Sequence, residues 1–405
     1  MSDRYPGGLI RKTPPTITPP VDGEGGSAPG IWTLEQVAYY TKEGTWPKGI
    51  LPKELYYTGA GNVGNPLNNA VTISSPVQVG SDTNWLTITN SGDMGAAVKE
   101  DGTLWVWGDG ADGRTGIGSI QDKSSPVQLG AQTYWSSVHN TNAHTLATGA
   151  GRLYSFGLNN VGQLGRSNVI DVSSPVQVGA LSTWLSVSAG YQHSAGVLED
   201  GKLYTWGSAT LGGLGHNNAI DKSSPTQVGA LTTWLSVTAG YFATAAIKTD
   251  GTLWTWGYNG YGLLGIGTNN IHASSPIQVG ALTNWSSVYM GTRFSYCMVA
   301  IKTDGTMWSW GRGDSGQLGN NNNADNFSSP IQIGAETNWA RASVGGPNCG
   351  AVKTDGTLWT WGIADGGNLG NNQDISASSP VQVGSETNWF QVAAGKQSTL
   401  MTTKG

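Results

Sequence analysis

The chain has 405 residues, a net charge of −5 and only 12% charged residues. No Lys/Arg cluster is visible, which excludes a nucleic-acid partner because phosphate contacts need grouped cations. We expect no Sec export and no membrane span, since the sequence lacks a secretion signal and an 18-residue apolar run. Two cysteines exclude a disulfide framework.

Residues 1–31 form a leader rich in Pro and Gly, which cannot bury a core and is predicted to be an extended docking arm. A solvated arm gains nothing from apolar side chains, whereas a docked arm can bury them. The candidate partner-docking residues in and just after this arm are Leu9, Ile10, Pro14, Pro15, Ile31, Trp32, Leu34 and Trp46.

Residues 32–51 are predicted to hold one short helix and a linker. Thr33 and Gln36 match a capping box, the apolar residues that follow recur at helical spacing, and Gly44 ends the pattern. We therefore expect two or three helical turns near 33–43. This helix either caps a surface of the following domain or docks on another protein.

From residue 52 onward the chain repeats with a nearly constant period. A tryptophan recurs at the same interval as the tripeptide Ser-Ser-Pro. The tripeptide has its prolines at Pro76, Pro126, Pro175, Pro225, Pro276, Pro330 and Pro380. A period of this length indicates one supersecondary unit copied along the chain, which buries its apolar faces mainly against its neighbours.

Each copy contains short runs typical of strands and none typical of a helix. In the copy that begins at Pro225 these runs are 225–228, 234–239, 245–248 and 253–256. Thr-Asp-Gly at 249–251 predicts a hairpin turn, and alternation sends Trp254 and Trp256 to one sheet face. We predict that each copy forms one blade of a β-propeller.

The two ends of the chain predict how the ring closes. The last copy stops before its Leu-Trp-x-Trp-Gly strand, and 54–64 matches 202–212, which carries that strand in an earlier copy. We therefore predict an all-β fold, a seven-bladed β-propeller over 52–405. The ring-closure residues on the N-terminal strand are Leu55, Tyr56 and Tyr57.

The motifs of the repeat resemble a known family. They are Trp-x-Trp-Gly, Gly-Gln-Leu-Gly at 162–165 and 316–319, Val-x-Ala-Gly at 187–190 and the Asp-Gly turn. This set is similar to the regulator-of-chromosome-condensation repeat family. The resemblance implies a propeller, but it implies no single function, because the fold hosts exchange factors, ubiquitin ligase domains and inhibitors.

The leader carries a second resemblance. Gly-Gly-Leu-Ile at 7–10, Pro14-Pro15, the segment 28–36 and Gly-x-Trp-Pro at 44–47 resemble the leaders of virion structural proteins from tailed phages of marine and freshwater bacteria, including cyanophages. This resemblance implies a virion component that the arm attaches to the particle.

No residue pattern indicates catalysis, a cofactor or a metal. His144 and His193 share one repeat phase, which favours a structural role. Cys297 and Cys349 share that phase in consecutive copies. We expect them either to form a disulfide between blades or to be small buried residues. Five aspartates precede Ser-Ser-Pro and are predicted to cap loops rather than to bind calcium: Asp122, Asp171, Asp221, Asp325 and Asp374.

Three functional hypotheses follow. The first is a non-enzymatic phage virion structural protein, assembled in the host cytoplasm and displayed on the capsid, neck or tail fibre. Its partners are other virion proteins, with a host surface glycan or protein as a further partner. The alternative is a soluble protein–protein interaction propeller, either an exchange factor or an inhibitor-like scaffold. The third is a glycan-binding adhesin, suggested by aromatic residues at strand ends and by the Asn-rich segment 320–326.

Overall fold

The chain divides into two compact units, residues 1–52 together with 405, and residues 53–404. The computed structural model describes residues 3–5, 8–10, 53–60, 64–68, 71–292, 295–373 and 375–404. In the first unit, strand Asp3–Tyr5 pairs antiparallel with strand Gly8–Ile10. The helix predicted near 33–43 lies outside the described residues. No helix in the described part of the chain is long and apolar enough to cross a membrane.

The second unit is an all-β propeller of seven four-stranded antiparallel sheets, which confirms the predicted fold class. We number the blades from the first complete one and name their strands inner, second, third and outer. The inner strands are Trp85–Asn90, Trp135–Asn140, Trp184–Ala189, Trp234–Ala239, Trp285–Met290, Trp339–Val344 and Trp389–Ala394. The second strands are Met94–Lys99, His144–Gly149, His193–Leu198, Ala243–Lys248, Cys297–Lys302, Asn348–Lys353 and Ser398–Thr403.

The remaining strands complete the blades in the same order. The third strands are Leu104–Gly108, Arg152–Gly157, Leu203–Gly207, Leu253–Gly257, Met307–Gly311, Leu358–Gly362 and Leu55–Gly59. The outer strands are Lys123–Gln128, Val172–Ser182, Lys222–Gln227, Ala273–Gln278, Phe327–Gln332, Ala377–Gln382 and Ile73–Gln78. Single 3₁₀ turns in the loops before three outer strands are Ala111–Gly113, Thr210–Gly212 and Gly260–Gly262.

The blades are offset from the sequence copies, which corrects the prediction that each copy forms one blade. The Ser-Ser-Pro strand Lys222–Gln227 pairs with Leu203–Gly207 of the preceding copy, so it is the outer strand of blade 3. The chain then turns at Gly229, whose φ is +60°, and crosses to the inner strand Trp234–Ala239 of blade 4. Each copy therefore contributes to two adjacent blades.

Blade 7 closes the ring with strands from both ends of the repeat region, as predicted. Strand Leu55–Gly59 pairs with Ser398–Thr403 and places Leu55 opposite Thr402. The N-terminal part supplies two strands rather than the single one expected, because Ile73–Gln78 adds the outer edge. Tyr56 packs edge-on against Trp389 with ring centroids 5.2 Å apart.

Tryptophans lie in the core of every blade, and in blades 3 to 6 one of them also joins its blade to the preceding one. In blade 4, Trp234 lies 6.2 Å from both Trp254 and Trp256, which confirms that these third-strand residues share a face. The Trp256 indole donates a hydrogen bond to the carbonyl of Gly213 in blade 3, at 3.0 Å. Gly215 has φ +76°, and a Cβ there would lie 2.8 Å from that indole nitrogen, so this position requires glycine.

A lysine ammonium lies between two indole rings in several blades, and we call this arrangement the lysine cage. The Lys248 Nζ lies 3.7 Å from the ring centroid of Trp254 and 5.0 Å from that of Trp234. Desolvation lowers the pKa of Lys248, and the electron-rich faces of the indoles offset part of that cost. The lysines of the four cages are Lys99, Lys248, Lys302 and Lys353.

Candidate functional site

Aromatic residues that do not follow the repeat lie at one end of the propeller. We call this end the loop face; it carries the turns from inner to second strands and the loops from third to outer strands. A backbone hydrogen bond of 2.9 Å from Tyr258 to Phe242 joins such a loop to such a turn. We define the aromatic cluster as Tyr191, Tyr241, Phe242, Tyr258, Tyr261 and Tyr296. Its residues come from three consecutive blades, 3 to 5.

The rings of the cluster are in contact across the blade boundaries. Tyr241 has its ring centroid 4.9 Å from that of Tyr191 and 4.4 Å from that of Phe242. It also lies 5.5 Å from Tyr296 of blade 5, so it connects all three blades. Tyr296 in turn lies 5.2 Å from Tyr261, and all six rings form one continuous group.

Turn geometry rather than regular strand structure places these side chains at the loop face. Tyr191 and Tyr241 are the middle residues of three-residue turns that end in second strands. Tyr261 is the middle residue of the 3₁₀ turn of blade 4 and has φ +62°, in the left-handed region that a bulky residue rarely adopts. Tyr296 ends a turn that is three residues longer than those of blades 3 and 4.

The cluster is half-buried and nearly neutral. Desolvation, together with the neighbouring phenols Tyr241, Tyr258 and Tyr261, raises the pKa of Tyr296 to about 12. The phenol of Tyr296 therefore stays protonated at neutral pH. The Arg312 guanidinium lies 5.2 Å from the ring centroid of Tyr261, and its Nε donates to Asp314 at 2.8 Å.

This arrangement can bind a partner, and it contains no catalytic constellation. Half-buried tyrosines with an arginine at their edge present apolar area and hydrogen-bonding groups together, as protein-binding hot spots do. In the part of the chain that the structure describes, no group of three or more His, Cys, Asp or Glu residues could hold a metal ion.

The central channel is a second concave site, but its lining is uncharged. The inner strands of all seven blades surround a cavity of about 460 Å³. Its polar groups include the hydroxyls of Ser188 and Thr238 and the ring of His139. Desolvation lowers the pKa of His139 to about 4, so this imidazole is neutral at pH 7. Among the described residues that line the channel, none pairs a nucleophile with a base.

His144 and His193 have the structural role that the sequence predicted, as ties between blades. His144 Nε2 lies 2.8 Å from Ser194 Oγ of the next blade, and His193 Nε2 lies 2.9 Å from Thr244 Oγ1. The Ser194 hydroxyl donates its proton to the Gln163 carbonyl at 2.8 Å, so His144 Nε2 must donate to Ser194. Desolvation lowers the pKa values of His144 and His193 to about 3 and about 4.

Cys297 and Cys349 are buried free thiols, which favours the prediction of small buried residues over a disulfide. They belong to the second strands of adjacent blades 5 and 6. The Cys349 thiol donates to the Gln317 carbonyl at 3.5 Å. The interaction of the protonated Cys349 thiol with the neighbouring Cys297 sulfur, together with burial, raises the pKa of Cys349, so it is an unreactive thiol.

The aspartates before Ser-Ser-Pro close loops, but through longer-range bonds than the predicted Asx turns. Asp122 and Asp221 each accept a hydrogen bond from a backbone N–H twelve residues earlier, at 3.0 and 2.7 Å. Asp171 does the same at 2.6 Å. Asp325 was wrongly grouped with them, because Asn326 takes this position in blade 5. Asp374 lies outside the described residues.

Two of the predicted docking residues lie in the described part of the chain. Leu9 and Ile10 lie on strand Gly8–Ile10 of the first unit. Of the ring-closure residues, Leu55 and Tyr57 are fully buried, and Tyr56 packs on Trp389. The predicted docking residues that lie outside the described part of the chain are Pro14, Pro15, Ile31, Trp32, Leu34 and Trp46.

Sequence reasoning did not predict the aromatic cluster. It missed Tyr191, Tyr241, Tyr258 and Tyr261, which lie in loops of otherwise regular copies. The available signal was Ala-Gly-Tyr at 189–191 and 239–241, where the equivalent turn residues of blades 1 and 2 are Gly92 and Asn142.

Comparisons with known proteins agree on the architecture. The RCC1-like domain matches residues 54–401. The human E3 ubiquitin-protein ligase HERC2 is 32% identical over 119 residues, which are 28% of this chain and 2% of HERC2. The chain therefore corresponds to a very small part of that relative.

Two solved structures share the fold over most of the chain. Prp20p from Saccharomyces cerevisiae is 18% identical with a TM-score of 0.77, over 88% of this chain and 92% of that one. Human WBSCR16 is 22% identical with a TM-score of 0.76, over 88% of this chain and all of that one. Identities this low show a common fold and nothing further. Because the domain match runs through all seven blades, the chain belongs to the RCC1-like domain family.

Proposed function

We propose that this protein is a non-enzymatic protein–protein interaction scaffold that binds a folded partner through the aromatic cluster. Family membership supports this role at the level of the fold. The structure of Prp20p was described together with its binding to Gsp1p and histones, so that propeller binds proteins. The kind of partner that this chain binds must be inferred from the chain's own surface.

The observation that carries the proposal is the asymmetry of the loop face. The tryptophans of the blade interiors recur in blade after blade and serve packing. The aromatic cluster occurs only in blades 3 to 5, where the turn residues Tyr191 and Tyr241 replace Gly92, Asn142, Gly346 and Lys396 of other blades. A fold made of copies has no packing need for rings in three copies only, so these residues are available for binding.

The chemistry of the cluster restricts the partner. Its protonated phenols offer donors and acceptors beside apolar ring faces, and its one guanidinium is already paired with Asp314. A strongly charged partner would lose hydration without gaining an opposite charge. We therefore propose a protein partner with an apolar, hydrogen-bonding surface rather than an acidic or basic one.

Affinity purification from the source cells tests this proposal. The wild-type protein should retain a specific partner that Tyr191→Ala/Tyr241→Ala loses, because interface tyrosines commonly carry about 2 kcal/mol or more each. Tyr134→Thr is the matched control, since it removes a tyrosine from the rim of blade 2. Equal recovery with all three proteins, at equal thermal stability, would exclude the aromatic cluster as the binding surface.

A second candidate function, a phage virion structural protein, is favoured by the leader resemblance alone. In this hypothesis the arm of residues 1–31 attaches the propeller to capsid, neck or tail proteins, after assembly in the host cytoplasm. Mass spectrometry of purified particles would detect the chain as a component. The protein lacking residues 1–31 should fold normally but fail to join particles, and Trp32→Ala should weaken incorporation. Full incorporation of the armless protein would refute the arm's role.

A further inference from the structure

A groove between the rims of blades 1 and 2 differs from the equivalent groove between blades 3 and 4. It has a volume of about 620 Å³, and its floor is formed by Tyr134, Trp135 and Tyr154. Tyr134 and Tyr154 are stacked with centroids 6.0 Å apart, and Trp135 meets Tyr154 edge-on at 5.0 Å. Tyr134 is 40% exposed, so part of this aromatic side chain is open to solvent.

The aromatic floor exists because blade 2 lacks the lysine cage. Trp135 pairs with Gly149 in the position where Trp234 of blade 4 pairs with Lys248. A Cβ on Gly149 would lie 2.5 Å from Tyr134 Cδ2, so the tyrosine ring occupies the space of the lysine side chain. Blade 4 has Thr233 in the position of Tyr134.

The equivalent groove between blades 3 and 4 provides an internal comparison. It is smaller, about 380 Å³, and the caged Lys248 lines it together with Trp234 and Trp254. Its indole faces are already covered by the ammonium. The groove of blade 2 therefore has a neutral, exposed ring where the groove of blade 4 has a cation.

The wall of the blade 2 groove carries mostly neutral hydrogen-bonding groups. Gln128, Gln132 and Ser174 line it, with Lys123 as its single charged residue. The Gln128 amide is oriented by a 3.1 Å hydrogen bond from Nε2 to the Gly130 carbonyl. Amides and hydroxyls supply both donors and acceptors, whereas one ammonium is too little for a phosphate-rich ligand.

We propose that this groove binds a neutral pyranose of an oligosaccharide. The C–H face of a pyranose packs on the electron-rich face of an aromatic ring, and its hydroxyls need neutral donors and acceptors around the rim. The volume and the aromatic lining suit a ligand of this size. The site lies on the rim, apart from the aromatic cluster, and does not depend on the proposed protein partner.

Saturation-transfer NMR with the full-length protein tests the proposal, using maltotriose, cellotriose, chitotriose and mannotriose as probes. At least one probe should receive saturation at its ring protons. Tyr134→Thr should weaken that binding roughly tenfold, because the loss of one aromatic contact corresponds to about 1.4 kcal/mol. Tyr134→Thr/Gly149→Lys places a lysine beside Trp135 and Tyr154, as Lys248 lies beside Trp234 and Trp254 in blade 4. This double variant should abolish binding while the thermal midpoint stays unchanged or rises.

Tyr241→Ala on the loop face is the control and should leave saturation transfer intact. The proposal is overturned if no probe receives saturation, or if the Gly149→Lys double variant binds as the wild type does. Binding of a polyproline peptide with no oligosaccharide binding would also overturn it. These outcomes are independent of partner capture, so this proposal and the scaffold proposal fail separately.

Discussion

The blade interiors and the loop face use aromatic residues in opposite ways. In the interiors, Trp234 and Trp256 recur from blade to blade, are almost fully buried and have neighbours fixed by the repeat. On the loop face, Tyr241 and Tyr296 are half-buried and have no counterparts in blades 1 and 2. The difference teaches that repeated residues hold the ring together, whereas unrepeated ones are free to carry binding. Framework variants should therefore cost stability, and cluster variants should cost binding.

The largest stability effect should come from reopening the ring. Deleting residues 1–60 removes strand Leu55–Gly59 and leaves the edge of Ser398–Thr403 unpaired, whereas deleting 1–50 keeps the closure. We expect the longer truncation to lower the thermal midpoint by roughly 10 °C or more, or to aggregate. Differential scanning calorimetry of both truncations measures this. Identical midpoints would show that closure by these strands is not needed.

The next largest effect should come from a tryptophan that joins two blades. Trp256→Ala removes a fully buried ring and its bond to Gly213, and should cost about 3–5 kcal/mol. Tyr258→Ala, two residues later on the loop face, should cost under about 1.5 kcal/mol. Urea unfolding followed by tryptophan fluorescence compares the two. Similar losses would mean that the cluster is part of the framework.

The buried histidines should make the framework sensitive to acid. The pKa values of His144 and His193 in the folded state, about 3 and about 4, lie below the unfolded value near 6.5. As pH falls from about 6.5 to 4, the unfolded chain binds protons that the folded chain does not, so the free energy of unfolding decreases. His193→Asn should flatten this decrease by on the order of 1–3 kcal/mol. An unchanged slope in unfolding experiments between pH 7 and 4 would contradict a neutral, buried His193.

A smaller effect should come from the lysine cage. Lys248→Met removes the ammonium from between Trp234 and Trp254 and should cost about 1–2 kcal/mol. Lys202→Met is the matched control, because that lysine is exposed and pairs only with Asp200. It should leave the free energy of unfolding almost unchanged. Equal effects in denaturant titrations would show that the lysine cage does not contribute to the stability of the propeller.

Features that the repeat carries could be predicted from the sequence, and features that depend on placement could not. The Ser-Ser-Pro spacing and the Leu-Tyr-Tyr segment at 55–57 were sufficient for seven blades and their closure. The spacing of a repeat does not show where one blade ends and the next begins, however. The sequence therefore could not show that Lys222–Gln227 belongs to the preceding blade. The aromatic cluster was missed because its tyrosines are far apart in sequence and meet only when blades 3 to 5 pack side by side.

Site-specific photocrosslinking tests the central claim most directly, because the 3₁₀ turns offer equivalent positions. Tyr261 of blade 4 and Asp112 of blade 1 are both middle residues of such turns, with φ +62° and +55°. p-Benzoylphenylalanine in place of Tyr261 should give a discrete adduct with one partner in the source cells, and in place of Asp112 it should give none. Adducts of equal yield at both positions, or at Asp112 alone, would contradict a binding surface confined to the aromatic cluster.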